Sequence, residues 1–301
     1  MVSALVGRSQ ELAQARLALA SAQAGSGALL LFAGEAGIGK TRLADSVAAL
    51  ASEQGARVAW GRCWEAGGAP AYWPWIQALR PYVRGCDTGT LAEQAGARAA
   101  DLAQVVPELA DRLPGLPPPS TLEPDRVRFR LFDATAEFLR RVGEARPVVL
   151  VLDDLHAADE ASLLLLRFLA REVGPDRLLL LAAYRDVDPR PAQPLAEMLA
   201  EVSREPSCRR IELRGLREPE VAEYLDRTAA ELASPRLASA LHERTEGNPL
   251  FVGELVRLLA IEGDQPQAVP PSVRDVIARR MTHLTPQSRD LLVLALSLIH
   301  I

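Results

Sequence analysis

The sequence predicts an α/β fold: strands buried on both faces, with helices between them, followed by a region of short helices. Three observations carry this. An apolar run at 28–33 passes directly into Gly34-Glu-Ala-Gly-Ile-Gly-Lys-Thr41 and then into a helical pattern, Arg42–Leu50. A second unbroken run, Pro147–Leu152, ends in Asp153-Asp154. A third, Arg177–Tyr184, ends at Arg185. Continuous rather than alternating apolar runs suit strands covered on both faces. Polar groups at their C-terminal ends lie where open α/β sheets bind ligands.

The elements follow in order. A helix of Ala and Leu over about 9–24 is broken by Gly25-Ser-Gly27, and the first strand covers 28–33. The helix after the glycine loop ends near Gly55, and Ala56–Trp60 reads as a second strand. All four tryptophans fall between 60 and 75. Such a cluster marks a nucleotide or partner surface, or a loop packed on the sheet; the second is the commoner case. Pro74 sits in the first turn of the next helix. Residues 76–145 are helical with interruptions, and Pro114–Pro119 is an exposed connector. Arg126–Leu139 spaces its apolar residues at three and four, an amphipathic helix whose arginine-rich start is read as a solvated face. A helix over 159–173 separates the second and third buried runs, and Arg209–Arg214 is a fifth strand. From 217 the texture changes to helices at 218–232, 235–244 and 250–262, with Gly247-Asn-Pro249 breaking the last two apart. Residues 263–271 form a linker, and helices near 272–283 and 287–295 begin a further unit.

The glycine loop fits the pattern G-x-x-x-x-G-K-[ST], and the strand before it and helix after it give the match its meaning. Backbone N–H groups of Gly34, Glu35, Ala36, Gly37, Ile38 and Gly39 curl around phosphates, with the helix N-terminus at Thr41 and Arg42 aimed at them. Lys40 supplies a compact charge for the β- and γ-phosphates, and the Thr41 hydroxyl suits Mg2+. Of 34 basic residues Lys40 is the only lysine. Arginine, a planar fork, does not replace an ammonium in so tight a loop. The run ending at Asp153-Asp154 is a Walker B pattern: Asp153 holds Mg2+ through its water shell, and Asp154 orients or deprotonates the attacking water. Arg185 is either a charge where the strand meets water or a sensor reaching the γ-phosphate.

Composition narrows the classes. At 301 residues two or three domains are expected. With 49% hydrophobic and 24% charged residues the chain is globular in type. A net charge of −5 gives no electrostatic footprint for nucleic acid, so no direct nucleic-acid contact is expected. No apolar run approaches the ~18 residues of a membrane span, and the N-terminus has no signal-peptide pattern. Three scattered cysteines, Cys63, Cys86 and Cys208, lack metal-ligand spacing and fit a reducing cytoplasm.

Taken in this order, the motifs resemble the ATPase core of the STAND class, signal-transduction ATPases with numerous domains. More narrowly they resemble the AAA-type ATPase region of large LuxR-type transcriptional regulators, the group that includes the maltose regulator. The family's opening box beside adenine and ribose corresponds to Val6, Gly7 and Arg8, with Ser9 where glutamate is commoner and Glu11 nearby. Its DDLHWAD reads DDLHAAD here, Ala157 replacing tryptophan, and Arg185 matches the sensor arginine. Pro249 matches the proline that packs on adenine. The resemblance implies a parallel five-strand sheet of order 5-1-4-3-2 (residues 1–210), a helical lid (211–264) and the start of a winged helix (265–295), with ATP or ADP and Mg2+ bound where they meet. It implies a slowly hydrolysing switch in which ADP holds the lid closed and exchange for ATP opens it. Inducer and partner proteins would act through regions further along the chain, and self-association on activation stays open. Alternatives are an ATPase module linked to a kinase or nucleotide cyclase, a phosphotransferase, and a constitutive ATPase. Residues 296–301 (LSLIHI) follow a helix that no cap closes, and they resemble an in-frame translation of a transposon-end adapter. They are expected to be a non-native tail.

Overall fold

The computed structural model describes residues 5–65, 68–118, 123–186 and 193–262. Its strands are β1 (Ala28–Ala33), β2 (Arg57–Arg62), β3 (Val148–Asp153), β4 (Leu178–Tyr184) and β5 (Cys208–Glu212). They pair in parallel in the order β2-β3-β4-β1-β5, which is the expected 5-1-4-3-2 read from the opposite edge. Every residue of β1, β3 and β4 is buried, which explains why their sequences carry no polar alternation. The edge strands β2 and β5 are only partly covered and carry arginines among their apolar residues.

Parallel neighbours need long crossovers, and helices supply them. These are α1 (Ser9–Gln23), α2 (Lys40–Glu53), α3 (Trp73–Gly85), α4 (Thr88–Ala95), α5 (Ala99–Leu102), α6 (Glu108–Arg112), α7 (Pro124–Ala145), α8 (Glu160–Glu172) and α9 (Gln193–Val202). Several starts are fixed by side chains that satisfy orphan amides: Asp87 accepts from Thr90 N at 2.9 Å, and Asp159 from Ser162 N at 2.9 Å. Of the clustered tryptophans, Trp75 is fully buried and donates from Nε1 to Ser162 O at 3.2 Å, whereas Trp64 is 55% exposed. The cluster is therefore part core and part surface. Phe129, in the apolar series of the α7 sequence, lies 59% exposed with its ring edge-on to Phe168. Arg126 and Arg128 are exposed as expected, while Arg130 donates twice to Asp101.

Register aligns the functional ends. Arg62 at the end of β2 pairs with Asp153 at the end of β3, and Ala33 pairs with Tyr184, the residue before Arg185. Strand β2 runs to Arg62, two residues past the expected Trp60.

The chain divides into two units, Arg8–Ala36 with Lys40–Leu213, and Met1–Gly7 with Gly37–Gly39 and the residues from Arg214 on. Leu213 still belongs to the sheet, donating its amide to Ala33 O at 2.8 Å. In the second unit, α10 (Glu218–Thr228), α11 (Pro235–Thr245) and α12 (Pro249–Glu262) share a core of Val221, Leu225, Leu241, Val252 and Leu255. Gly247 ends α11 at φ +70°, and a Cβ there would fall 1.9 Å from Leu216 O, so only glycine fits. The expected winged-helix start (265–295) and the tail (296–301) lie outside the described residues. No helix among the described residues is long and apolar enough to cross a membrane.

Candidate nucleotide site

Strand β1 delivers the chain into the glycine loop, and α2 begins at Lys40 itself. Gly34, Gly37 and Gly39 have φ of +151°, +78° and +102°, conformations that side chains disfavour. Lys40 is 8% exposed, and its Nζ donates to Gly34 O at 2.8 Å and Glu35 O at 2.7 Å. One residue on, Thr41 Oγ1 donates to Asp153 Oδ2 at 2.9 Å. Two motifs 112 residues apart thus meet through a hydroxyl and a carboxylate, both oxygen donors of the kind Mg2+ takes.

Asp153 is 1% exposed and accepts from three donors: Thr41, Arg62 Nη2 at 3.2 Å, and the Asp154 amide at 3.1 Å. Asp154 has a left-handed backbone, φ +59°, and its Oδ2 lies 3.8 Å from Arg62 Nε. Burial, and after it the charge of Asp153, push the Asp154 carboxyl above its ordinary range. Asp45 moves the same way, by burial first and then Asp153. Lys40 is held below the usual lysine range by burial and, next, by the Arg185 cation. The site therefore sets mutually repelling acids beside mutually repelling cations. A divalent cation would relieve the first and a polyphosphate the second. The residues fit Mg·nucleotide, with Thr41 and Asp153 to hold the metal.

Two participants, Arg62 and Glu65, do not follow from the motifs read above. Arg62 is the counter-ion of both Walker B acids. Glu65 Oε1 accepts from Arg185 Nη2 at 2.8 Å and lies 2.9 Å from His156 Nε2. The hydrogen bond with His156 is the main influence lowering the Glu65 pKa, and Arg185 adds to it. Ligand atoms of Glu65, Asp154 and His156 all lie within 4.8 Å of one another. Because Arg185 and Arg62 already neutralise these carboxylates, the trio is an ion-pair cluster.

The other expected residues are placed as follows. Arg8 is buried and pairs with Glu11 at 3.3 Å, giving Glu11 a structural partner in the opening box. Glu35, Ala36 and Arg42 are exposed around the loop. Val6, Gly7, Gly37, Ile38, Gly39 and Pro249 belong to the second unit. Pro249 opens α12 directly after buried Asn248, whose Oδ1 accepts from Leu250 N at 3.1 Å.

Comparison with known proteins bears on the family and the fold. The AAA ATPase domain family matches residues 4–181, and a domain of unknown function (DUF8739) matches 226–262. No curated protein matches the chain. Among solved structures, the chain is similar to a signal transduction ATPase with numerous domains from Pyrococcus horikoshii, which carries a tetratricopeptide repeat sensor. The TM-score is 0.54 at 15% identity, over 92% of this chain and 33% of that one. It also matches the ORC1 protein of Aeropyrum pernix in complex with DNA (TM-score 0.47, 20% identity, 93% and 66% covered). A third match is AMPPCP-bound DnaA from Aquifex aeolicus (0.46, 14%, 86% and 62%). The chain spans a third of the length of the Pyrococcus protein, and the likeness to it is one of fold. The sheet order and the loop on β1 make this an α/β P-loop NTPase fold. With the family model covering more than half its length, the chain belongs to the AAA ATPase domain family.

Proposed function

We propose that this chain is the ATP-binding, slowly hydrolysing core of a nucleotide-gated switch within a larger regulatory protein, with the LuxR-type transcriptional regulators as its nearest functional analogues. The observation that carries the reading is the meeting of the glycine loop with the Walker B strand, Thr41 Oγ1 donating to Asp153 Oδ2 at 2.9 Å next to Lys40, whose pKa is lowered by burial and, after it, by the Arg185 cation. Lys40 binds the β- and γ-phosphates, Thr41 and Asp153 hold Mg2+, and Arg185 distinguishes triphosphate from diphosphate. When bound, Mg2+ supplies charge neutralisation at the phosphates.

Slow turnover has a physical basis in Asp154. Its side chain is a methylene shorter than glutamate, its backbone is in the left-handed region, and Arg62 stands 3.8 Å from its carboxylate. Each feature limits its reach as a water-orienting base. Val6, Gly7, Arg8 and Pro249 are proposed, on the family resemblance, as adenine and ribose contacts. In this reading turnover resets the state and does no work.

Single-turnover and steady-state hydrolysis with Mg·ATP test this. A switch turns over below about 0.1 s−1, against ~10 s−1 for a median enzyme, and retains ADP after hydrolysis. Steady turnover near 10 s−1 with rapid ADP release would contradict it.

A further inference from the structure

The loop after β2 contributes a carboxylate that no part of the nucleotide motifs calls for. Glu65 lies three residues past Arg62, His156 three past Asp153, and Arg185 directly after β4. These are the exits of β2, β3 and β4, which are neighbours in the sheet. One oxygen, Glu65 Oε1, meets both His156 Nε2 at 2.9 Å and Arg185 Nη2 at 2.8 Å. His156 is the least exposed of the three, at 12% of its side chain, against 54% for Glu65 and 32% for Arg185. A single Glu65 oxygen thus ties Arg185 to the least exposed of the three side chains.

An arginine at a strand exit has many rotamers, and fixing it on arrival of ligand costs conformational entropy. A guanidinium also carries five N–H donors in a rigid fork. Glu65 takes Nη2, and the remaining donors serve phosphate oxygens without breaking that pair. We propose that Glu65 is the positioning residue for Arg185, holding its guanidinium oriented toward the terminal phosphate so that the ATP-over-ADP preference depends on a side chain that itself touches no nucleotide. Removing the carboxylate lets Arg185 swing free beside Lys40, the cation it already repels. The proposal rests on the switch reading, specifically on Arg185 as the group that senses the third phosphate.

The test is a double-mutant cycle on the intact chain, measuring Kd for ADP and for a non-hydrolysable ATP analogue, each with Mg2+. The variants are Glu65→Gln, Arg185→Ala and the pair together. Glu65→Gln keeps the shape of an exposed loop side chain, and its melting temperature reports whether the fold is intact. The ATP-over-ADP preference is expected to fall about tenfold in Glu65→Gln, the worth of one charge-assisted hydrogen bond, and at least as far in Arg185→Ala. The double variant should lose no more than Arg185→Ala alone, because Glu65 acts only through Arg185. A purely structural Glu65 would weaken both nucleotides equally. A preference unmoved by Glu65→Gln, unmoved by Arg185→Ala, or reduced multiplicatively in the double variant overturns the proposal. If the parent chain binds neither nucleotide, the switch reading falls and takes this inference with it. If the parent binds and only Glu65→Gln is silent, the inference falls alone.

Discussion

Two adjacent isosteric substitutions should move the stability of the ligand-free protein in opposite directions. Asp153 is buried, and its three partners are all donors: the Asp154 amide on Oδ1, and Thr41 and Arg62 on Oδ2. An asparagine offers one oxygen and one NH2. Turned either way, its NH2 faces a donor, and although the Thr41 hydroxyl can rotate to accept, neither the Asp154 amide nor Arg62 can. With the NH2 on Thr41, Arg62, 63% exposed, turns to water, so the loss is one charge-assisted hydrogen bond, about 1.5 kcal/mol, or ~3–6 °C in melting temperature for a domain of this size. Asp154 is the reverse case. Its carboxyl is raised by burial and by Asp153, so ionisation is unfavourable in the fold, and asparagine tolerates the left-handed backbone at φ +59°. Asp154→Asn should hold or raise the melting temperature. The sign follows from linkage: with the folded pKa above the unfolded one, the native state binds the extra proton, so stability falls as pH rises through that window. The gain from Asp154→Asn is then fully present at neutral pH and closes as pH drops toward the unfolded value. Scanning calorimetry in EDTA from pH 7 down to about pH 4, near the ordinary aspartate value, measures both. Equal shifts in the two variants, or a larger loss in Asp154→Asn, would refute the hydrogen-bond assignment around Asp153.

Lys40→Ala should weaken Mg·ATP binding at least about a hundredfold, from two lost charge-assisted hydrogen bonds, while leaving the circular dichroism unchanged; titration calorimetry checks it. Gly37→Ala should lower the melting temperature, because its φ is +78° and a Cβ would lie 2.8 Å from Leu250 Cβ. The cost is about 1–3 kcal/mol, and a melting temperature equal to the parent's would contradict that packing.

The central strands were legible because burial on both faces leaves an unbroken apolar signature, as in Leu29–Phe32 and Val148–Leu152. The phosphate loop and the acids were legible because their chemistry is local in sequence. Arg62 was not, since β2 is an edge strand whose mixed burial hides its last two residues. Its role depends on the pairing Arg62↔Asp153, which spans 91 residues. Glu65 and Arg185 are 120 residues apart, and no spacing rule connects them. The available clue was topological: with β2 next to β3, a charged residue just past β2 must lie near the Walker B acids. Trp64 and Trp75 show the same boundary. Composition clusters them, and only the fold separates an exposed ring from a buried one.

The central claim is that a nucleotide's terminal phosphates sit against Lys40, and the composition allows an unusually clean measurement. An ATP derivative with an acyl-phosphate end transfers its acyl group to an amine held beside the phosphates. Lys40 is the only lysine in the chain, and burial together with Arg185 lowers its pKa, which favours the reactive neutral amine. Peptide mapping should find the label on Lys40 Nζ, suppressed by excess ATP or ADP and undiminished by AMP. Absent labelling at Lys40, or labelling that millimolar ATP does not reduce, would contradict the account.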